Sequence, residues 1–424
     1  MQEDFLHYLW KHNKILSKNL KTTTGDVVRI SNVGQHNHNS GPDFFNAQLK
    51  IGDQLWAGNL EIHIKSSDWY LHNHETDANY DNVILHVVWE HDTQIFRKDN
   101  TEIPTLELKQ YVTQAAINNY QKLFGATQKW INCEKDFASI PEFIISNWLE
   151  RLYFERLERK ANDISFILKQ SANNWEAVLF KMLARNFGLK VNGDAFASIA
   201  NSFDFSILRK QQSKLLSLEA LLMGQAQLLE TDCQEVYFLE LKKEYQFLKQ
   251  KFGLSNSSIT PLQFFRLRPP NFPTIRLSQL AKIYVKHQNV FSKILEAKTL
   301  DDFYTLFSVE TTPFWQTHYT FNTASKASKK KVTTALIDLL IINTIIPIKF
   351  SYAKLQGQSV NEELVALLKQ IASEQNSIVK TFNSLKNVSH SALESQALLQ
   401  LKNEYCNKNK CLQCAVGNAL LNTN

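Results

Sequence analysis

Gly58-Asn-Leu-Glu-Ile-His-Ile-Lys-Ser-Ser-Asp68 is the stretch on which the reading of the fold turns. Leu60, Ile62 and Ile64 alternate with Glu61, His63 and Lys65. A period of two is that of a β-strand with one face in a core. The other face then carries an acid, an imidazole and an amine in a row, each about 7 Å from the next. Upstream, Ser40-Gly-Pro-Asp-Phe44 sets Asp43 at the start of another apolar stretch. An Asp opening one strand and a Glu-x-His-x-Lys row on the next can hold a divalent cation between two carboxylates, leaving a basic group to align water. On a solvated face the same row would only keep the strand wet, because exposed Glu/Lys pairs contribute little.

Two features favour chemistry. His7, His12, His36, His38, His63, His72, His74, His86 and His91 are nine of the chain's 12 histidines, all within the first 91 residues. The tract Gln35–Asp43 is polar, small and turn-rich, as in a loop that presents functional groups. The pairs His36-x-His38 and His72-x-His74 are open to three readings: metal ligands, phosphate contacts flanking a cleft, or ordinary loop histidines. His86, inside the apolar run Val83–Trp89, reads as a satisfied core histidine.

The 424 residues exceed one ordinary core, so two domains are expected, 1–115 and 116–424. Apolar spacing predicts a helix over 3–17 and strands near 26–33, 43–51, 55–65, 82–91 and 103–108. Gly52-Asp53 makes the second and third of these strands a hairpin. From about 110 the pattern turns helical, notably over 144–167. The class is therefore α+β: a small mixed sheet, then a mostly α-helical remainder. Residues 1–115 carry 10 Lys/Arg against 15 Asp/Glu, and residues 116–424 carry 37 against 26. An acidic module beside a basic one suits an anionic polymer. No basic start followed by an apolar run marks a signal peptide. The apolar segment 335–348 is broken by Asp338 and Asn343 and ends at Pro347, so it reads as a buried helix and not a membrane span. Five cysteines in a chain of this size point to a reducing cytoplasm rather than a disulfide framework.

Asp43 after Pro42, with Glu61 and Lys65 on the next strand, resembles the signature of the restriction-endonuclease-like PD-(D/E)xK nuclease superfamily. That signature has Asp on one core strand and Glu-x-Lys on the next. Here three residues separate Glu61 from Lys65, so two alignments are open: Glu61-Ile-His63 with His in the Lys place, or His63-Ile-Lys65 with Glu61 one pleat away. The resemblance implies Asp43 and Glu61 as Mg²⁺ or Mn²⁺ ligands, Lys65 orienting water, and His63 as third ligand or proton acceptor. Longer stretches, Asn39–Phe44, Gly58–Trp69, Tyr80–Trp89, Phe264–Arg276 and Asn343–Pro347, are similar to the bacterial DUF2851 family over most of the chain. That resemblance implies membership and no activity.

Cys406-x4-Cys411-x2-Cys414 places three thiols within nine residues, a spacing that fits Zn²⁺ or an iron–sulfur cluster, with Cys133 the natural fourth ligand. Some nucleases of the superfamily named above carry a 4Fe–4S cluster on one distant and three C-terminal cysteines, an arrangement to which this one is similar. Cys233 reads as a small apolar residue. Arg266, Arg268 and Arg276 lie among Phe264, Phe265 and Phe272, which suits nucleic-acid binding as well as core packing and helix capping. The expectation that joins these readings is metal-dependent phosphodiester hydrolysis, on DNA ahead of RNA. Its rivals are a non-catalytic nucleic-acid-binding or assembly protein on the same scaffold, and a metal-dependent hydrolase of a small molecule.

Overall fold

The computed structural model describes residues 1–16, 18–37, 39–125 and 129–422. Helix α1 (Glu3–Lys11) precedes strands β1 (Val28–Asn32), β2 (Gln35–His36), β3 (Phe44–Ile51) and β4 (Gln54–Lys65). The single-turn helix α2 (Asp68–Leu71), strands β5 (Val83–Glu90) and β6 (Thr105–Glu107), and helix α3 (Gln114–Phe124) follow. Helix α1 stops at Lys11 instead of reaching 17, because Asn13 takes φ +50°, outside the right-handed helix.

Gly52, at φ +58°, turns β3 back on β4, with Ile51 opposite Gln54. The strand order is β1-β3-β4-β5-β6, with β2 also on β3. β1 and β4 run antiparallel to β3, whereas β4 with β5 and β5 with β6 are parallel. A parallel pair requires a crossover, which the segment 66–82 supplies between β4 and β5.

Strand β4 lies inside this sheet, and its stretch Leu60–His63 is covered on both faces. Leu60 and Ile62 pack with Phe5, Leu9 and Trp10 of α1. The other face is not wet: Glu61 is 5% and His63 2% exposed, beneath the segment that carries Trp69 and Tyr80. Between Phe44 and Ala47 the β3–β4 register slips, with Asn46 at φ +56°. This bulge brings Phe44 opposite Leu60, so that Asp43 abuts Glu61.

The chain divides into two compact units. The first comprises Met1–Trp148, Ser384–Lys386 and Gln400–Asn424, and the second Leu149–Asn383 and Asn387–Leu399. The sequence placed a boundary at 115; chain contacts carry the first unit on to Trp148 and add the C-terminal segment, whose Leu421 joins the core of α1 and the sheet. The second unit is built of helices such as Trp175–Phe187, Leu215–Gln225 and Pro273–Lys286, with one two-stranded ribbon, His318–Thr320 and Thr323–Ala324, among the described residues. Thr334–Leu355 is the one described helix long and apolar enough to cross a membrane, and most of it is buried within this unit. It does not stop at Pro347: a π turn over Ile341–Ile345 absorbs the missing N–H and the helix continues to Leu355.

Candidate functional site

The bulge aligns Asp43 and Glu61 through their own backbones. The Asp43 amide donates to Glu61 Oε2 at 3.2 Å, and the Ile62 amide donates to Asp43 Oδ2 at 2.9 Å. Helix α1 adds His7, whose Nε2 lies 3.1 Å from Asp43 Oδ2. One residue along β4 from Ile62, His63 sits with Nε2 3.5 Å from Glu61 Oε1. Its Nδ1 is 2.8 Å from Nε2 of His86, the residue opposite Glu61 on β5.

The segment after α2 closes the group. Asn73, at φ +59°, reverses the chain between His72 and His74. His74 Nε2 then lies 3.4 Å from Glu61 Oε1, and His72 Nδ1 lies 3.2 Å from His63 Nε2. His63, His72 and His74 form a set that could hold a metal ion, with one ligand atom from each all within 4.8 Å of one another. Aromatic packing fixes these rings: His74 stacks on Tyr80 at 3.8 Å, and Trp69 meets the edges of His74 and His86. The Trp69 indole is itself held, donating to the Phe96 carbonyl at 3.2 Å.

The electrostatics follow from burying carboxyls side by side. Burial, then the charge of Asp43, lifts Glu61 to about 9. Burial lifts Glu3 to about 7, with Asp43 adding to it. His63 falls to about 3, from burial and the neighbouring His74 and His72. Burial drives His86 well down and lowers His74. For His7, burial opposes the charged form, but the contact with Asp43 outweighs it and the net shift is upward. Burial thus favours neutral His63, His74 and His86 and a protonated Glu61, groups that would become ligands were a divalent ion to replace the proton.

The structure thus gathers Asp43, Glu61 and His63 and leaves Lys65 out. Lys65 is exposed at the end of β4, and among the described residues no hydrogen bond or ion pair engages its amine. His36 packs against Phe44 and meets the His7 ring edge-on at 5.4 Å, beside the Asp43 end of the group. Its expected partner His38 lies outside the described residues. His86 is a buried core histidine as read, but its partner is another site imidazole. The sequence offers His7 only as one histidine in a crowd; no motif marks it, and its sole signal is a polar position between the buried Leu6 and Tyr8 of an amphipathic helix.

In the second unit the three arginines part company. Arg276 is 5% exposed and donates to Asn271 Oδ1 at 2.6 Å and Gln279 Oε1 at 2.9 Å, so it is a core residue and not a phosphate contact. Of the readings left open it takes core packing, because Pro273 opens a helix that is buried from Pro273 to Ala281. Arg266 and Arg268 are exposed, the former 5.2 Å over the exposed Phe265 ring. Cys133, Cys406, Cys411 and Cys414 all belong to the first unit, whereas Cys233 is a buried apolar filler in the second.

The model of the family described as a protein of unknown function (DUF2851) matches residues 3–377, and the chain belongs to that family. No curated protein and no solved structure matches it.

Proposed function

We propose that this DUF2851 chain is a divalent-metal-dependent hydrolase of phosphodiester bonds, with nucleic acid as substrate. The observation that carries this reading is the convergence of Asp43, Glu61 and His63 at the bulged end of one hairpin, under His72 and His74. The order helix, antiparallel strands, crossover, parallel strand also supports it, because that order accompanies the Asp and Glu-x-His positions along β3 and β4. Between the two open alignments, burial of Glu61 and His63 with Lys65 outside favours Glu61-Ile-His63 as the functional pair.

In this reading Asp43 and Glu61 hold the ion, and His63, kept in place by His86, completes the donor set or accepts a proton. The bound ion would supply a water of lowered pKa and neutralise charge on the phosphoryl oxygens. His7, beside Asp43 and drawn toward its charged form, would meet an anionic oxygen of the substrate. Imidazole donors beside carboxylates suit Mn²⁺ or another transition ion better than Mg²⁺.

The test is cleavage of end-labelled single-stranded, duplex and branched DNA and of RNA with Mn²⁺ or Mg²⁺. Wild type is run beside Glu61→Gln. The reading expects metal-dependent cleavage of at least one substrate that chelator and Glu61→Gln abolish. No cleavage, with equal binding by both proteins, would favour the non-catalytic scaffold. The compact imidazole set favours one second reading, a Zn²⁺- or Fe²⁺-dependent hydrolase of a small molecule. It predicts tight metal binding and no affinity for polynucleotide.

A further inference from the structure

The C-terminal segment of the first unit presents a second set of soft donors that the histidine site does not use. A π turn over Leu401–Cys406 leads to a single turn at Cys411–Gln413, and Cys414 starts the last helix, Ala415–Leu421. The segment around Cys133 is tied to this stretch on both sides of the cysteine. Lys402 Nζ donates to the Trp130 carbonyl at 2.6 Å and lies 4.7 Å over the Trp130 ring. Asn132 Nδ2 reaches Asn409 Oδ1 at 3.3 Å and Cys411 Sγ at 3.4 Å. Residues 130 and 132 thus dock on 402, 409 and 411 and carry Cys133 into the same place.

We propose that Cys133, Cys406, Cys411 and Cys414 together hold one thiophilic metal centre that closes the C-terminal segment onto the segment around Cys133. Each of the four thiols lies within electrostatic reach of the other three, and none is paired in a disulfide. The backbone is shaped around the sulfurs. A Cβ on Gly417 would stand 2.1 Å from the Cys411 carbonyl oxygen, so glycine alone lets the chain close there. A soft cation would displace the thiol protons and take the four sulfurs as its ligands. Four apolar fillers would not need this convergence; Cys233, buried in the second unit, is such a filler. The spacing x4 then x2 with one remote cysteine is the spacing of ferredoxin-type iron–sulfur sites, and a four-coordinate zinc ion accepts the same ligands.

The test is elemental analysis and visible absorption of the untagged full-length protein, purified anaerobically. Cys133→Ser, Cys414→Ser, Cys233→Ser and Glu61→Gln are analysed alongside. The expected result is either one zinc ion per chain without visible colour, or iron with matching acid-labile sulfide and visible absorption. Either centre disappears in Cys133→Ser and Cys414→Ser and persists in Cys233→Ser and Glu61→Gln. The wild-type measurement stands even where a cysteine variant fails to fold. Wild type free of both metals, with all four thiols reacting with a thiol reagent in the folded protein, would overturn the proposal. So would a metal lost in Glu61→Gln and kept in the cysteine variants, since it would belong to the histidine site.

Discussion

His63 is the residue on which the site depends. Its Nδ1 meets His86 Nε2, and the tautomer with the proton on Nδ1 leaves Nε2, which lies beside Glu61 Oε1 and His72 Nδ1, free for a ligand. An imidazole that orients a ligand in this way typically contributes ~10–100-fold to metal affinity. His86→Leu should therefore weaken Mn²⁺ binding by that factor while leaving thermal unfolding cooperative, as calorimetric titration and scanning would read. Lys65→Ala should change Mn²⁺ affinity by less than ~2-fold, because its amine stands apart from the group; a loss matching that of Glu61→Gln would restore Lys65 to the site. At this scale the sequence was half transparent. Asp43, Glu61 and His63 could be read from a period of two and a strand-opening Asp, both local patterns. His7 could not, because only the docking of α1 on the sheet brings it to Asp43.

Among the elements, the β3–β4 hairpin sets the geometry. Its turn was legible from Gly52-Asp53, but its bulge at Asn46 was not, since a polar residue at φ +56° leaves no mark in an alternation pattern. Neither was the burial of the Glu61/His63 face. A strand's second face is covered or bare according to what crosses over it, and the 66–82 crossover is irregular. Close approach to that crossover's end explains Gly58: a Cβ there would stand 2.4 Å from Ile84 Cγ2 and 2.8 Å from the Asn82 carbonyl oxygen. Gly58→Ala should destabilise the first unit by about 1–3 kcal/mol, measured as a lower urea midpoint. An unchanged midpoint would mean that β4 and β5 can separate without cost.

For the whole molecule, the second unit carries its own titration. Glu219, fully buried in the helix Leu215–Gln225, accepts hydrogen bonds from Ser278 and Tyr237. Burial nevertheless raises it from 4.5 to about 7. A carboxyl whose folded pKa is raised contributes stability that is full below its unfolded value and lost as pH rises through the folded value. Stability should thus fall by on the order of 3 kcal/mol between pH 4.5 and about 7 from this group. Urea midpoints at pH 5 and pH 8 should show a drop that Glu219→Gln lessens; an equal drop in both proteins would assign it elsewhere. The sheet-then-helices order was legible at this scale, because periodicity changes from 2 to 3.6 near residue 110. The return of residues 400–424 to the first unit was hinted at only by the cysteine spacing, since chain contacts of such sequence separation leave no other local trace.

In the proposed site, carboxylate and imidazole together bind one divalent ion at the bulged hairpin. The most direct test is Mn²⁺ binding followed by electron paramagnetic resonance, in wild type and Glu61→Gln, with ¹⁵N-histidine labelling to reveal ring nitrogens on the ion. One Mn²⁺ per wild-type chain is expected, coupled to imidazole nitrogen and weakened at least ~10-fold by Glu61→Gln. Equal binding by both proteins, or bound Mn²⁺ without nitrogen coupling, would contradict it.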